Sequence, residues 1–305
     1  MRVLITGATG LIGSRITQLC HEKGIHVNYL TTSKDKLEQK ENYKGYYWNP
    51  STGEIDAACL DGVGAIINLA GENVFQPWTK SARNRILRSR INSLNVLHKL
   101  LSEQEHEVGQ LISASAIGIY PSSLRKMHYE DETEIDDSFL AEVADKWEKA
   151  ADRFTDLNLR VAKVRIGLVL SEKGGALAQM KRPVKYNVGA PLGSGDQWQS
   201  WIHIEDLARI FLHILENGLT GVYNGVAPKP VTNKELTERL AGVMGKKTWL
   251  PNVPAGILKV VMGDMSSVVL GSQLVSSKKI EETGFTFYYV SLTRALEDLL
   301  HKKTG

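Results

Sequence analysis

Two hydroxyl side chains, Ser115 and Tyr120, stand five residues apart and form the pair with which this chain could move a proton. A short apolar strand, predicted over Gln110 to Ser113, leads directly into the sequence ASAIGIY that carries both of them. Because open α/β sheets bind ligands at the carboxyl ends of their strands, both hydroxyls are expected at an active-site edge. A tyrosine with an ordinary pKa of about 10 is a poor base at neutral pH unless a cation lies close. We interpret Ser115 and Tyr120 as the reactive pair, with simple packing as the alternative role of Tyr120.

A glycine-rich turn near the start of the chain could hold a phosphate. The apolar run Arg2 to Thr6 is followed by GATGLIG, an amphipathic stretch to about Lys23, and a second apolar run, His26 to Thr31. This order predicts a βαβ unit of roughly 30 residues with the pyrophosphate of a dinucleotide at the helix N-terminus. The glycine spacing, G-x-x-G-x-x-G, differs from the more common G-x-G-x-x-G. The predicted cofactor-binding residues of this turn are Gly7, Thr9, Gly10, Leu11, Ile12 and Gly13.

The end of the second predicted strand bears on which dinucleotide binds. Folds selective for NAD place an acidic residue there, which would repel a 2′-phosphate. This chain instead has Thr31, Thr32, Ser33 and Lys34. Three hydroxyls and a cation favour NADP (NADPH) over NAD, with Lys34 as the charge partner of the 2′-phosphate. A solvated surface lysine is the alternative.

The composition excludes several classes of protein. The 305 residues are 42% hydrophobic and 23% charged, with a formal net charge of +3, which is typical of a globular chain. The positive charges are not gathered in blocks, so no nucleic-acid partner is expected. Cys20 and Cys59 are too isolated for a disulfide framework or a metal site. The chain lacks a long apolar segment, so we expect a cytoplasmic protein without a membrane partner.

The apolar pattern predicts a doubly wound α/β fold with a mostly parallel, Rossmann-type sheet and a small C-terminal substrate lobe. The run Ala65 to Gly71 is typical of a strand buried on both faces. We assign residues 1–165 and 203–228 to the dinucleotide-binding domain and residues 166–202 and 229–305 to the small lobe. A Gly-rich loop over 189–201 carries Trp198 and Trp201, which we predict to bind the substrate, with structural anchoring as the alternative. Helices are predicted at Phe139 to Phe154, Ile204 to Glu216, Asn233 to Met244 and Leu292 to Lys302, with His203 and Asp206 ordering the start of the second.

Several segments together resemble the short-chain dehydrogenase/reductase superfamily in its extended and atypical branch. They are TGATGLIG at the N-terminus, NLAG after the buried strand, SASAIGIY, and the later RIGLVL, WIHIED and VYNG. The chain is most similar to the NAD-dependent epimerase/dehydratase family of unknown substrate, whose members end in a short domain of unknown function. The C-terminal segments LPNVP, LGSQ and TGFTF resemble that domain.

The resemblance implies an oxidoreductase or nucleotide-sugar epimerase with NADP bound at the glycine turn and an unidentified small polar substrate in a neighbouring cleft. Glu72 would join the substrate site, and a homodimer through a helix pair that includes residues 139–154 is also implied. Further cofactor contacts are expected from Leu69, Ala70, Gly71, Arg90, Ser113, Ala114 and Arg165.

This chain also differs from the catalytically active members of the superfamily that it resembles. They carry a Tyr-x-x-x-Lys pair on one helix face, in which the lysine lowers the pKa of the tyrosine so that it can act as acid or base. No tyrosine in this sequence has a lysine four residues later. When Glu148 is aligned with its counterpart in epimerases, Leu140 and Ala144 fall at those two positions, and Arg90 falls where an asparagine is usual. Two hypotheses follow, an oxidoreductase or epimerase with substitute groups, and a non-catalytic NADPH-binding sensor or scaffold.

Overall fold

The structure is a computed structural model that describes residues 1–301, and these residues contain fifteen strands and ten α-helices. The strands are β1 Arg2–Thr6, β2 His26–Thr31, β3 Gln39–Lys40, β4 Tyr43–Asn49, β5 Glu54–Ile55, β6 Ala65–Asn68, β7 Gln110–Ala116, β8 Met127–His128, β9 Arg160–Ile166, β10 Leu168–Ser171, β11 Trp198–Gln199, β12 Trp201–His203, β13 Gly221–Gly225, β14 Val231–Thr232 and β15 Leu274–Val275. The helices are α1 Leu11–Glu22, α2 Lys80–Glu103, α3 Phe139–Asp152, α4 Gly175–Lys185, α5 Ile204–Glu216, α6 Asn233–Val243, α7 Ala255–Met262, α8 Ser266–Leu270, α9 Lys278–Glu282 and α10 Leu292–His301.

The main sheet has nine strands, and seven of them form a continuous parallel series in the order β13-β9-β7-β6-β1-β2-β4. The short strands β3 and β5 pair antiparallel with β4 at one edge. The series runs outward from β1 in both directions, so the loops after β1 and β6 leave the sheet side by side. Such a reversal of strand order opens a crevice at the carboxyl ends of the strands. The predicted doubly wound α/β fold is therefore confirmed.

Helices cover both faces of this sheet. The side chain of Gln110 donates hydrogen bonds to the carbonyl oxygens of Ile214 and Leu219, at the C-terminal end of α5. Ser115, five residues further along the same strand, donates instead to Glu148 of α3. Because successive side chains of a strand point to opposite faces, α5 and α3 lie on opposite sides of the sheet. α1 packs with α5, and α2 packs with α3, which completes three layers.

The elements with a clear hydrophobic period match their predicted bounds. The strands Arg2–Thr6 and His26–Thr31 and the helix Ile204–Glu216 begin and end where the pattern placed them. His203 is the N-cap residue of α5, where its ring nitrogen accepts a hydrogen bond from the backbone N–H of Glu205. The prediction that His203 orders this junction is confirmed. Lys302, the predicted last residue of the final helix, lies outside the described residues.

A second hydrophobic cluster lies beside the main core and is built from the C-terminal half of the chain. Its buried members include Leu177 of α4, Leu236 of α6 and Leu296 of α10. Short two-stranded pairings, β10 with β12, β11 with β14, and β8 with β15, connect this region internally and to the loops above the main sheet. Within residues 1–301, no helix combines the length and the apolar character needed to traverse a bilayer.

Candidate functional site

A cleft of about 1160 Å³ opens at the carboxyl ends of the parallel strands. Gly7, Leu69, Ala116 and Ile166 line it where they end or directly follow β1, β6, β7 and β9. The opposite wall comes from residues 193–200 and 266–273 of the C-terminal half. The upper end of the usual volume range for ligand pockets is about 1,000 Å³, so the cleft has room for a dinucleotide and a second small molecule.

The glycine turn after β1 fits a pyrophosphate. Gly7 has a φ of +71°, and its α-carbon faces the backbone of Leu69, 3.2 Å from where a Cβ would stand. A Cβ on Gly13 would stand 2.7 Å from the α-carbon of Ala8 and would overlap the carbonyl oxygen of Gly7. α1 therefore approaches β1 closely only because residue 13 has no side chain. Gly10 is the N-cap residue of α1 and supplies no side-chain cap, so the first N–H groups of this helix face the cleft without a side-chain acceptor.

A buried polar pair, Thr6 and Asn68, fixes the loop that follows β6 at the edge of the cleft. The hydroxyl of Thr6 donates to the Asn68 side chain at 2.8 Å and accepts from the backbone N–H groups of Leu69 and Ala70, both at 3.0 Å. Asn68 in turn donates to the hydroxyl of Ser113. Ser113 is buried under the loops and does not line the cleft, whereas Leu69, Gly71 and Ala114 do. The sequence alone did not point to Thr6 or Asn68. The feature that could have identified them is that each is a polar residue at the end of an apolar strand.

Arg90 is the cation of the cleft wall on α2. Its guanidinium donates to the carbonyl oxygens of Glu72 and Ile86 and lies 5.0 Å from the centroid of the Trp147 ring. Burial lowers the pKa of Arg90 to about 10. Its Cζ atom would lie 2.9 Å from a Cβ on Gly71, so a side chain at residue 71 would displace the guanidinium from its present place.

Ser115 lines the cleft, but its hydroxyl is engaged on the far side. It donates to a carboxylate oxygen of Glu148 at 2.7 Å, and the same carboxylate receives two hydrogen bonds from Arg165, at 2.8 and 3.0 Å. Both side chains of this ion pair are only 8% exposed. Because an ionised carboxylate can only accept, the proton of Ser115 is directed away from the cleft.

Tyr120 and Arg165 do not line the cleft, which corrects the roles expected for them. The Tyr120 hydroxyl donates to Asn224 at 2.7 Å and accepts from Arg165 at 2.9 Å. Burial raises the pKa of Tyr120 to about 12, although the nearby guanidinium favours the phenolate. Burial alone would lower the pKa of Arg165, but the hydrogen bonds and charge of Glu148 outweigh it and leave that pKa above its usual value. Tyr120 is thus a buried hydrogen-bonding group and not an available acid or base.

We predict that Tyr120→Phe destabilises the protein by about 1–3 kcal/mol without weakening ligand binding. The substitution leaves Asn224 without its donor and one Arg165 N–H without its acceptor, while the ring still fills its place in the core. Urea unfolding measures the loss, with Tyr129→Phe, an exposed tyrosine, as the matched control. A loss no larger than that of the control would contradict this account of the buried network.

The face of α3 turned to the cleft carries no side chain that could act as an acid or a base. Leu140, Val143, Ala144 and Trp147 line the cleft there. Leu140 and Ala144 are the positions at which the resemblance expects the tyrosine and lysine of the usual pair. The structure thus places an apolar surface where the acid or base would stand. Among the described residues that line the cleft, none is a tyrosine, histidine or cysteine.

The segment proposed for the 2′-phosphate lies at the carboxyl end of β2. Thr31 is buried and accepts a hydrogen bond from the backbone N–H of Ser33, whereas Thr32 and Lys34 are exposed. The ammonium of Lys34 stands 5.0 Å from the centroid of the Tyr47 ring, at the end of the neighbouring strand β4. Thr9 is likewise exposed at the glycine turn. The contacts of Thr9, Thr31, Thr32, Ser33 and Lys34 with a cofactor remain predictions.

The two tryptophans of the Gly-rich loop have different places. Trp198 lines the cleft, and its indole N–H donates to the carbonyl oxygen of Leu124. Trp201 is fully buried in the second hydrophobic cluster and donates to the carbonyl oxygen of Lys229, so its predicted contact with substrate is wrong. Glu72 lines the cleft, and its carboxylate accepts a hydrogen bond from the side-chain amide of Gln76 at 3.2 Å.

The sequence missed one wall of the site, residues 266–273. Ser272 donates to the carbonyl oxygen of Ser123 and accepts from the N–H of Trp198, and so joins the loop after β7 to the Gly-rich loop. Ser200 donates to the carbonyl oxygen of Gln273. The available signal was the change from an aliphatic run to GSQ at residues 271–273.

Two family models match parts of the chain, and relatives match almost all of it. A model described as the NAD dependent epimerase/dehydratase family matches residues 3–143, and one described as a domain of unknown function, DUF1731, matches residues 253–299. The epimerase family protein YfhF of Bacillus subtilis is 37% identical over 301 residues, covering 98% of each chain. An epimerase family protein of Staphylococcus haemolyticus is 38% identical over 304 residues, covering 97% of this chain and 98% of that one.

Solved structures give the same picture. The human epimerase family protein SDR39U1 (isoform 2), determined with NADPH, superposes with a TM-score of 0.88 at 31% identity, covering 99% of this chain and 100% of that one. A nucleoside-diphosphate sugar epimerase from Corynebacterium glutamicum gives a TM-score of 0.78 at 30% identity, covering 98% of this chain and 58% of that one. MoeE5, in complex with UDP-glucuronic acid and NAD, shares the fold at 18% identity and a TM-score of 0.78.

Proposed function

Because this chain belongs to the epimerase family of these bacterial and human relatives, we propose that it is an NADPH-binding oxidoreductase or epimerase-like protein that takes a small polar molecule into the cleft. The observation that carries this proposal is the cradle formed by Gly7, Gly10 and Gly13, in which any Cβ on residue 13 would overlap the turn. An ordinary strand-to-helix turn does not require such an approach. When bound, the nicotinamide group supplies a hydride donor or acceptor.

The residues present fit a dinucleotide in this cleft. The N–H groups at the start of α1 would hold the pyrophosphate, and the loop held by Thr6 would lie along the adjoining ribose. Arg90 would add a positive charge beside Gly71. The human relative with NADPH supports the choice of NADP, and the hydroxyls and cation that follow β2 support it further. Residues 166–202 and 229–305 are proposed as the small lobe that closes the substrate side.

We expect Lys34→Gln to weaken NADPH binding by about tenfold and to leave NADH binding unchanged. A cation facing a 2′-phosphate contributes a charge-assisted hydrogen bond, of the order of 1.5 kcal/mol. Fluorescence titration of the bound reduced nicotinamide measures both constants. Lys36→Gln, two residues along and also exposed, is the matched control. Equal loss for both nucleotides would remove Lys34 from the cofactor site, and failure of the wild type to bind either nucleotide would overturn the proposed function.

The chemistry open to the protein's own residues is narrow. Ser115 places its oxygen at the cleft with its proton held by Glu148, so it can accept a hydrogen bond from a substrate hydroxyl. Glu72 can accept a second one and Trp198 can offer an apolar face. These groups suit a polyhydroxylated molecule such as a sugar. The dimer expected from the superfamily stays a prediction.

The apolar face of α3 favours a second candidate, a non-catalytic NADPH-binding sensor or scaffold. Leu140 and Ala144 supply no acid or base, and Tyr120 cannot replace them from its buried position. The two candidates differ in whether a compound is converted. Incubation with a panel of sugars and carbonyl compounds is followed by absorbance of the reduced nicotinamide, which reports net oxidation of NADPH, and by NMR of the compound, because an epimerase returns the hydride and leaves the nicotinamide unchanged overall. Conversion of any compound, lost in Ser115→Ala, would establish the enzyme.

A further inference from the structure

One face of the C-terminal half combines unpaired cations with exposed aromatic rings. We define the basic-aromatic patch as Lys181, Arg182, Lys185, Tyr186, Val188, Lys246, Lys247 and Trp249. Its residues come from two stretches, 173–195 and 239–263, that contain no aspartate or glutamate. The formal net charge of the whole chain is only +3, so the net charge does not reveal the local excess of positive charge in these two stretches.

The two stretches are joined in space at the C-terminal ends of α4 and α6. The indole N–H of Trp249 donates to the carbonyl oxygen of Asn187 at 2.8 Å, and α4 packs against α6. Asn187 has a left-handed φ of 59°, which turns the chain back after α4. The two stretches that carry the five cations therefore meet at the turn after α4.

In the described part of the chain, the cations of the patch have no carboxylate partner, and the stretches around them supply none. Lysines elsewhere, such as Lys99, Lys146 and Lys149, pair with a carboxylate one helical turn away. Within residues 1–301, none of the five patch cations lies within 4.0 Å of a carboxylate oxygen. Cations at helix C-termini interact favourably with the helix dipole, which accounts for Arg182 and Lys185. It does not account for the apolar groups beside them.

The apolar members of the patch are unusually open to solvent. Tyr186 is 71% exposed, Trp249 is 69% exposed and Val188 is 51% exposed. The next helix along the chain, α7, exposes Val260 and Val261 still further. Tryptophan and tyrosine are enriched at the interface between lipid and water, and lysine or arginine chains extend past them to lipid phosphates. Proteins bind single-stranded nucleic acids by stacking the bases on aromatic rings. Aliphatic side chains take no part in such stacking.

We propose that the basic-aromatic patch docks this protein on the surface of an anionic lipid bilayer, with Trp249 and Tyr186 in the interface and the five cations on lipid headgroups. This is peripheral contact, without a spanning segment, and it differs from the absence of a membrane partner expected from composition. It is independent of what binds in the cleft.

Co-sedimentation of the full chain with vesicles tests the proposal. We expect binding to phosphatidylcholine vesicles that contain phosphatidylserine and none to vesicles of phosphatidylcholine alone. Each cation near an anionic surface contributes about 1 kcal/mol, so Lys185→Gln with Lys247→Gln weakens binding on the order of 25-fold. The matched control, Lys99→Gln with Lys149→Gln, makes the same charge change at lysines that are 71% exposed and leaves binding within about twofold.

A charge-neutral variant separates lipid docking from simple electrostatics. Trp249→Ala is expected to weaken vesicle binding by about tenfold, and circular dichroism and thermal melting confirm that each variant is folded. Three outcomes overturn the proposal: no difference between the two kinds of vesicle, no effect of Trp249→Ala, or equal loss in the control pair. Patch-dependent binding of a single-stranded oligonucleotide without vesicle binding would assign the patch to nucleic acid instead.

Discussion

We expect Glu148→Ala to lower the free energy of unfolding by about 3–5 kcal/mol, because the substitution leaves a buried cation without its counter-charge. Arg165 then loses two hydrogen bonds and stands in the core beside Tyr120 with no carboxylate in hydrogen-bond contact. Ser115 loses its acceptor at the same time. In a domain of this size the change corresponds to a fall in melting temperature on the order of 10 °C, which scanning calorimetry measures.

An ion pair on the same helix provides the control. Glu142 pairs with Lys146 at 2.6 Å, but both side chains are about half exposed, so Glu142→Ala should cost less than about 1 kcal/mol. The double variant Glu148→Leu with Arg165→Met replaces the buried pair by apolar groups and is expected to recover much of the lost stability. Equal effects of Glu148→Ala and Glu142→Ala would show that burial of the network does not govern its energetics.

Gly13→Ala is the second large effect, and it combines loss of stability with loss of the proposed cofactor. The new methyl group would stand 2.7 Å from the α-carbon of Ala8, so α1 must move away from the glycine turn. Overpacking of this kind costs about 1–3 kcal/mol. Because the N–H groups at the start of α1 move with the helix, we expect NADPH affinity to fall at least on the order of 100-fold.

Gly109→Ala is the matched control for this substitution. A methyl group added to Gly109 would have no atom within 4 Å beyond its chain neighbours, and the backbone there is not left-handed, so the same group meets open space. Melting temperature and nicotinamide fluorescence are compared for the two variants. NADPH affinity retained in a folded Gly13→Ala protein would place the dinucleotide somewhere other than the glycine turn.

The sequence predicted those parts of the fold that depend on local pattern. β1 and β2 are short apolar runs bounded by glycine or polar residues, and α5 has a strong helical period after a capping residue, so their bounds could be read directly. α4 was missed because Pro183 stands within it, and α7 and α8 were missed because residues 257–270 are aliphatic without a clear period. α7 and α8 each bury a single residue, Leu258 and Ser266, so no amphipathic pattern marks them.

The sequence also predicted the cleft lining at the glycine turn and after β6 and β7, but it did not predict the long-range partners of the polar side chains. Tyr120 has the right type and a promising position, but its hydroxyl is taken by Asn224, 104 positions away. No local pattern reports such a partner. Trp201 and Trp198 look alike in sequence, and only the pairing of β10 with β12 buries one while the other reaches the cleft.

The walls of the cleft come from stretches that are far apart in the sequence, so they are synthesised at different times. The glycine turn and the first strands emerge from the ribosome early and can pair at once, since chains fold from the N-terminal side as they are made. The edge strand β13 and the wall at residues 266–273 arrive last. A nascent chain that lacks them exposes the edge of β9 and an open apolar crevice. We therefore expect the incomplete chain to be prone to aggregation until these last elements are in place, before it can bind any small molecule.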